Sequence, residues 1–226
     1  MEYGSLSFDE AIWQVFEMKA GVFLLQAEET ISVDQIHRTT RAIVDVLGPD
    51  LVDIVPAYDT IALFSPSSWN DIREKLKRSP DINLSFEAAS KKIEIPICYE
   101  LGLDLEQISK HTGLSTDAVI THHLAGTYRS IFIGFTPGFI YADGLDGALT
   151  CPRRTTPRKQ IEAGSVGIGG TQTGIYSLNS PGGWNILGRT PMKLFDPAAD
   201  APMAVEVGTS FKFKRITRKE FETWGN

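Results

Sequence analysis

At 226 residues the chain has room for one large domain or two ordinary ones, and 42% hydrophobic residues supply a core, which excludes a disordered protein. A net charge of −6 and a pI near 5.3 exclude a general nucleic-acid or membrane-surface binder. Two cysteines, Cys98 and Cys151, cannot build a disulfide framework, and no C-x-x-C metal spacing occurs. No apolar run approaches the roughly 18 residues of a membrane span. The opening MEYGSLSFDEAIW lacks a signal peptide's apolar stretch, so a soluble cytoplasmic protein is expected.

In chain order, Ala11 to Lys19 and Gly21 to Ala27 read as two strands joined near Gly21, with Val22 to Leu25 as a buried run. Ser32 or Asp34 caps a helix whose apolar face is Val33, Ile36, Ile43, Val44 and Leu47, and Gly48-Pro49 stops it. Leu51 to Val55 and Thr60 to Phe64 pair around the turn Pro56-Ala57-Tyr58-Asp59. Ser67 or Ser68 starts a second helix with Trp69, Ile72 and Leu76 on one face. This β-β-α-β-β-α order predicts an α+β N-terminal domain, an antiparallel sheet backed by two helices, over residues 1–88. The polar KLKRSPDINLS, with Pro80, is the expected linker.

Residues 89–226 read as a mainly β domain. Lys91 to Cys98 forms a strand whose Pro96 suits a sheet edge. Two short helices follow, Asp104 to His111 and Ser115 to Leu124, with Thr112-Gly113 ending the first. Short segments punctuated by Gly and Pro come next: Ser130–Phe135, Ser165–Ile168, Trp184–Leu187, Met192–Phe195 and Ser210–Ile216. Their spacing predicts a closed or nearly closed β-barrel.

Residues 128–195 stand apart in composition. They hold twelve of the 20 glycines, and seven Lys/Arg against three Asp/Glu. That local balance of +4 leaves −10 on the other 158 residues. Glycines that admit a close backbone, among cations, point to an anion-attracting surface; the plain alternative is a set of turns. Within it, CPRRTTPRKQ carries four cations on a proline-held extended segment, suited to bidentate binding of carboxylate or phosphate, or to an acidic partner. SVGIGGTQTG is not a dinucleotide fingerprint, since Gln172 stands where the third Gly belongs, and no G-K-[ST] follows.

The helix pair DLEQISKHTGLSTDAVITHHL has the outline of a DNA-binding helix-turn-helix. Its second helix offers no Arg, Lys, Asn or Gln before Arg129, so nucleic acid is not expected as a partner. Adjacent His122 and His123 point about 100° apart on a helix and lack a further ligand at helical spacing, so no metal is expected. One of the two serves better as a hydrogen-bonding anchor or an acid/base.

YRSIFIGFTPGFIY, CPRRTTPR, SVGIGGTQTGIY and SPGGWNILGRTPMKLFD, in this order, resemble the family of 5-oxoprolinase B subunits. That family also includes the sporulation-kinase inhibitor KipI and allophanate hydrolase subunit 1. VDIVPAYDTIALF resembles the central hairpin of its N-terminal domain, so the likeness covers nearly the whole chain. Departures fall at Ala142-Asp143, at Ser177 after the tyrosine, and at Cys151.

The resemblance implies a cyclophilin-like barrel after the N-terminal domain, and a protein inactive alone. It also implies two partners. One is the 5-oxoprolinase C subunit, of the allophanate hydrolase subunit 2 type; the other is the A subunit, with which ATP is used to open 5-oxoproline to glutamate. The other readings it leaves open are inhibition of a sensor histidine kinase and a carboxyltransferase-type component of urea or allophanate metabolism. For the enzyme reading, Arg153, Arg154 and Arg158 are the expected anion-binding residues. Gln172 and Asn185 orient the amide beside Trp184, and His123 and Tyr128 are the candidate catalytic groups. ATP belongs to the complex; no metal or prosthetic group is expected on this chain.

Overall fold

The computed structural model describes residues 2–78 and 92–225. Two compact units divide the chain, Met1–Glu87 and Ala88–Asn226. The expected linker at Pro80, the domain boundary at 88/89 and the first residue of the Lys91 strand lie outside the described residues.

In the first unit the strands are β1 (Glu2–Phe8), β2 (Ala11–Lys19), β3 (Val22–Ala27), β4 (Asp53–Ala57) and β5 (Thr60–Phe64), with helices α1 (Val33–Leu47) and α2 (Trp69–Arg78). The sheet runs β1-β2-β3-β5-β4, every neighbour antiparallel. Alternation places Val15, Leu25 and Ile61 in one buried row, and Phe23 beside Leu63 in another. Full burial of each such side chain is worth about 1.5–3 kcal/mol. The unexpected strand is β1: its polar sequence buries only Leu6, and its turn to β2 holds both Asp9 and Glu10 at positive φ. Ser32 caps α1, accepting from the Gln35 N–H at 3.1 Å, and Gly48 ends it.

The second unit contains β6 (Lys92–Ile97), α3 (Leu105–Thr112), α4 (Thr116–Ala125), β7 (Tyr128–Ile133), β8 (Ile140–Asp143), β9 (Arg158–Ile161), β10 (Ser165–Gly169), β11 (Gln172–Ile175), β12 (Ser180–Gly182), β13 (Asn185–Arg189), β14 (Ser210–Arg215) and α5 (Arg218–Glu222). Seven strands form a curled half-barrel in the order β13-β10-β11-β8-β7-β14-β6. Pro96 does lie on an edge strand, and β6 pairs with β14 in parallel. The two edges meet at one corner: Cys98 N–H donates to the Arg189 carbonyl at 2.8 Å, and Arg189 N–H returns the bond at 3.0 Å. Inside the curl, Ile95, Ile97, Val166, Ile168, Ile175, Leu187 and Phe211 form the main core.

A second, smaller apolar layer consists of Phe139, Ile161, Tyr176, Trp184 and Ile186, flanked by Tyr141. The two-stranded sheet β9–β12 contributes Ile161 to it. Strand β10 is therefore buried at all five positions, which erases the in–out alternation that sequence reading depends on. The expected strand Met192–Phe195 is instead an irregular segment with a single bridge, Phe195 to Met203. The expected Ser130–Phe135 strand stops at Ile133, because Phe135 turns to φ +66.

Candidate functional site

The arginine loop is built around a carboxylate that is distant in sequence. Asp104, 4% exposed, precedes α3 and makes no side-chain cap bond to it. Its carboxylate instead takes four donors. Arg154 Nη1 approaches Oδ1 at 2.9 Å, Arg158 Nη2 approaches Oδ1 at 2.8 Å, and Arg158 Nη1 approaches Oδ2 at 2.9 Å. The Ile186 N–H completes the set at 2.7 Å, while Asp104 N–H donates to the Ile186 carbonyl at 3.0 Å. A charge enclosed this deeply persists only when paired and hydrogen-bonded.

The loop between Cys151 and β9 is pinned along its length. Cys151 and Gly170 exchange backbone bonds at 3.2 and 2.8 Å, and Arg154 N–H donates to Gly183 at 2.7 Å. Asn185, 2% exposed, donates from Nδ2 to the Pro152 carbonyl at 2.8 Å and to Cys151 Sγ at 3.4 Å. Asn185 is thus a latch for the loop. Two guanidinium groups share one carboxylate and Arg153 adds a third cation, which leaves the loop cationic, and Arg154 Nε is enclosed with no hydrogen-bond partner among the described residues. An enclosed unpaired donor is costly.

Trp184 sets the floor beside the loop. Its ring lies on strand glycines: a Cβ at Gly169 would sit 2.6 Å from Trp184 Cε2, and one at Gly174 2.9 Å from Cζ3. These glycines are not turns; they let the indole lie flat on β10 and β11. Arg153, exposed, stands 5.7 Å from the centre of the Trp184 ring in a cation–π contact. Gln172 opens β11 opposite Gly169 and is half-buried. Burial pushes the nearby Tyr176 phenol up to about 12, so it stays protonated at neutral pH.

The structure joins Arg154 and Arg158 at Asp104, ties Asn185 to the same loop, and sets Arg153 on Trp184. His123 and Tyr128 lie elsewhere, both 0% exposed in the second unit's interior. His123 Nδ1 is 2.7 Å from the Tyr99 hydroxyl, the Tyr128 hydroxyl donates to the His123 carbonyl at 2.7 Å, and the imidazole stacks on Phe213 at 4.6 Å. Burial pushes the imidazole down to about 3 and both tyrosines upward, so all three are neutral. That geometry is an anchor holding α4 against β14. Among the described residues, no group of three or more His, Cys, Asp or Glu is placed to share a metal ion. No described helix is long and apolar enough to cross a membrane.

Sequence reading missed Asp104 in this role. Its only local signal is an Asp at a helix start, which ordinarily means a cap.

The family profile described as "Carboxyltransferase domain, subdomain C and D" matches residues 13–205. The chain belongs to this family. It is 41% identical over 194 residues to the 5-oxoprolinase B subunit of Escherichia coli O157:H7, covering 84% of this chain and 87% of that protein. It is 34% identical over 205 residues to the 5-oxoprolinase B subunit of Bacillus subtilis (strain 168), covering 84% and 85%. The crystal structure of TTHA0988 matches with a TM-score of 0.72 at 34% identity, over 86% of this chain and 40% of that one. This chain therefore spans about two fifths of the length of TTHA0988. The urea carboxylase of Kluyveromyces lactis matches with a TM-score of 0.72 at 16% identity, over 98% of this chain and 23% of that one, a likeness of fold alone.

Proposed function

We propose that this chain is the B subunit of an ATP-dependent 5-oxoprolinase, a cytoplasmic complex that opens 5-oxoproline to L-glutamate with A and C subunits. One observation carries the reading: the likeness to two 5-oxoprolinase B subunits, at 34% and 41% identity, spans more than four fifths of both partners in each comparison. The curled sheet of the second unit is, in this reading, a cyclophilin-like barrel. Residues 1–88 and 89–226 are its two domains, the first an antiparallel sheet backed by two helices.

The arginine loop fits the chemistry. A lactam carbonyl is unreactive, and coupling to ATP activates it: its oxygen bonds to the γ-phosphorus as the bond to ADP breaks, so negative charge lies on the transferred phosphoryl and on the departing ADP. In this reading Arg153 and the part-exposed guanidinium groups of Arg154 and Arg158 stabilise that charge or the substrate carboxylate. Asp104 fixes the two inner guanidinium groups before any ligand arrives, which spares reorganisation. Asn185 holds the loop, and Trp184 with Gln172 forms the floor for an uncharged ring.

The test is reconstitution. The purified chain, combined with the A and C subunits of a 5-oxoprolinase, should release phosphate and glutamate only when 5-oxoproline and ATP are both present. Omitting this chain should abolish that release. Full activity without it, or none with all three, would sink the reading.

A further inference from the structure

Phe135 stands at φ +66, a backbone region that bulky L-residues avoid. Thr136 N–H donates to the Gly134 carbonyl at 2.8 Å, closing a strained γ-turn over Phe135. The turn is fastened from several sides. Gly134 N–H donates to Phe139 at 3.2 Å, Phe139 N–H donates to Thr136 at 3.0 Å, and Ser177 Oγ donates to the Pro137 carbonyl at 2.5 Å. Gly138, at φ +78, lies so close to Phe195 that a Cβ would sit 2.6 Å from the phenylalanine Cβ. Such strain persists only where the surroundings over-determine it.

What this strain achieves is display. Phe132, Phe139 and Ile140 of the same segment are 4%, 1% and 0% exposed, whereas Phe135 is 61% exposed. Its ring stands edge-on to Phe139 at 5.5 Å and to Tyr176 at 6.4 Å, so it extends the smaller apolar layer outward. Arg153 caps Trp184 of that same layer. A hydrophobic side chain held outward at conformational cost has the make-up of an interface anchor.

We propose that Phe135 is the anchor of a protein-docking surface. Its occupant is a partner protein of the complex proposed above, presenting an apolar pocket edged by carboxylates. The proposal rests on that reading of the chain as one component of a complex. Two observations argue for this occupant. The segment around the anchor carries +4 in a chain of net −6, which favours an acidic counter-surface. In TTHA0988 the matched fold is 40% of the chain, so there it is covalently joined to more polypeptide than its own length.

The experiment pairs Phe135→Gly and Phe135→Asn in the full chain. Both residues accept positive φ, so each variant removes the ring while relieving the backbone. Binding to the separately purified A and C subunits of a 5-oxoprolinase is measured by titration, alongside the melting temperature. We expect at least a tenfold loss of affinity for one of the two with no fall in melting temperature. Unchanged affinity in the Phe135 variants overturns the docking proposal and leaves the reading of the chain as part of a 5-oxoprolinase standing. Failure of the unaltered chain to bind either protein overturns both. Loss of melting temperature without loss of affinity makes Phe135 a packing residue. Self-association of the unaltered chain that the variants abolish makes the occupant a second copy, against the proposal.

Discussion

Asp104 and Arg158 meet in a two-bond fork, Nη2 to Oδ1 at 2.8 Å and Nη1 to Oδ2 at 2.9 Å, across 54 residues of sequence. The carboxylate side chain is 3% exposed, while Arg158 and Arg154 retain 23% and 31%. Removing one member of a fully buried pair costs about 3–5 kcal/mol. The partly solvated arginines lower that figure here, so Asp104→Ala is expected to cost about 2–3 kcal/mol. Arg158→Ala should cost less, because Arg154 and the Ile186 N–H still satisfy Asp104. Urea unfolding followed by the tryptophan signal measures both; an unshifted midpoint for Asp104→Ala would count against the junction as a stabilising element.

Arg153 behaves differently from its neighbours, because it is exposed and rests on the face of Trp184 rather than on the Asp104 carboxylate. Its replacement by Ala should change stability by no more than about 0.5 kcal/mol, the scale of a surface substitution. In the reconstituted complex, 5-oxoproline-dependent ATP hydrolysis should fall about tenfold, or roughly 1.4 kcal/mol of transition-state stabilisation. Arg154→Ala should lower both turnover and stability. Equal turnover for Arg153→Ala and the unaltered protein would remove Arg153 from the anion site.

Much of this architecture was legible because the first unit exposes one sheet face, so Trp13, Val15, Phe23 and Leu25 alternate with polar or half-buried neighbours. The helix α1 announced itself through Ser32 and the spacing of Ile36, Ile43 and Leu47. The second unit hides its short strands, because β10 is covered on both sides and β9 and β12 form a separate ribbon. The cations of the site were visible in CPRRTTPRKQ, but their carboxylate was not. No local pattern links Asp104 to Arg154, 50 residues away: Asp104 is held by the Ile186 backbone of β13, and Arg154 by Gly183 just before that strand.

The flat seat of Trp184 makes a sharp packing prediction. Gly169→Ala would put a methyl 2.6 Å from the indole, which must lift off β10. Overpacking of this kind typically costs about 1–3 kcal/mol. Gly147→Ala, where no atom lies within 4 Å of the new methyl, is the control and should be near neutral. A red-shifted tryptophan emission in Gly169→Ala, absent in the control, would report the displaced ring. Identical emission and stability in the two variants would contradict the seat.

His123 sets an acid limit on stability. Its Nδ1 meets the Tyr99 hydroxyl, its Nε2 is enclosed with no partner among the described residues, and burial pushes its pKa down to about 3. An unfolded imidazole titrates near 6.5, so below about pH 6.5 the unfolded chain takes up a proton that the folded chain refuses until about pH 3. Stability is therefore full above pH 6.5 and falls as pH drops towards 3, by roughly 1.4 kcal/mol per unit from this group. Asp146, Asp196 and Glu220, held low by hydrogen bonds from His122, Lys193 and Thr217, withdraw their contribution at lower pH, around the ordinary carboxylate range. Between about pH 7 and 5 the comparison with a His123 variant isolates this group, because the three other histidines are common to both proteins. The unaltered chain should lose about 2 kcal/mol over that interval from His123 alone. His123→Gln, which keeps an acceptor for the Tyr99 hydroxyl but cannot titrate, should be less stable at neutral pH and should lack that slope. Parallel pH profiles for the two proteins would mean that the folded chain protonates His123 as readily as the unfolded one, contrary to its enclosure between Tyr99, Tyr128 and Phe213.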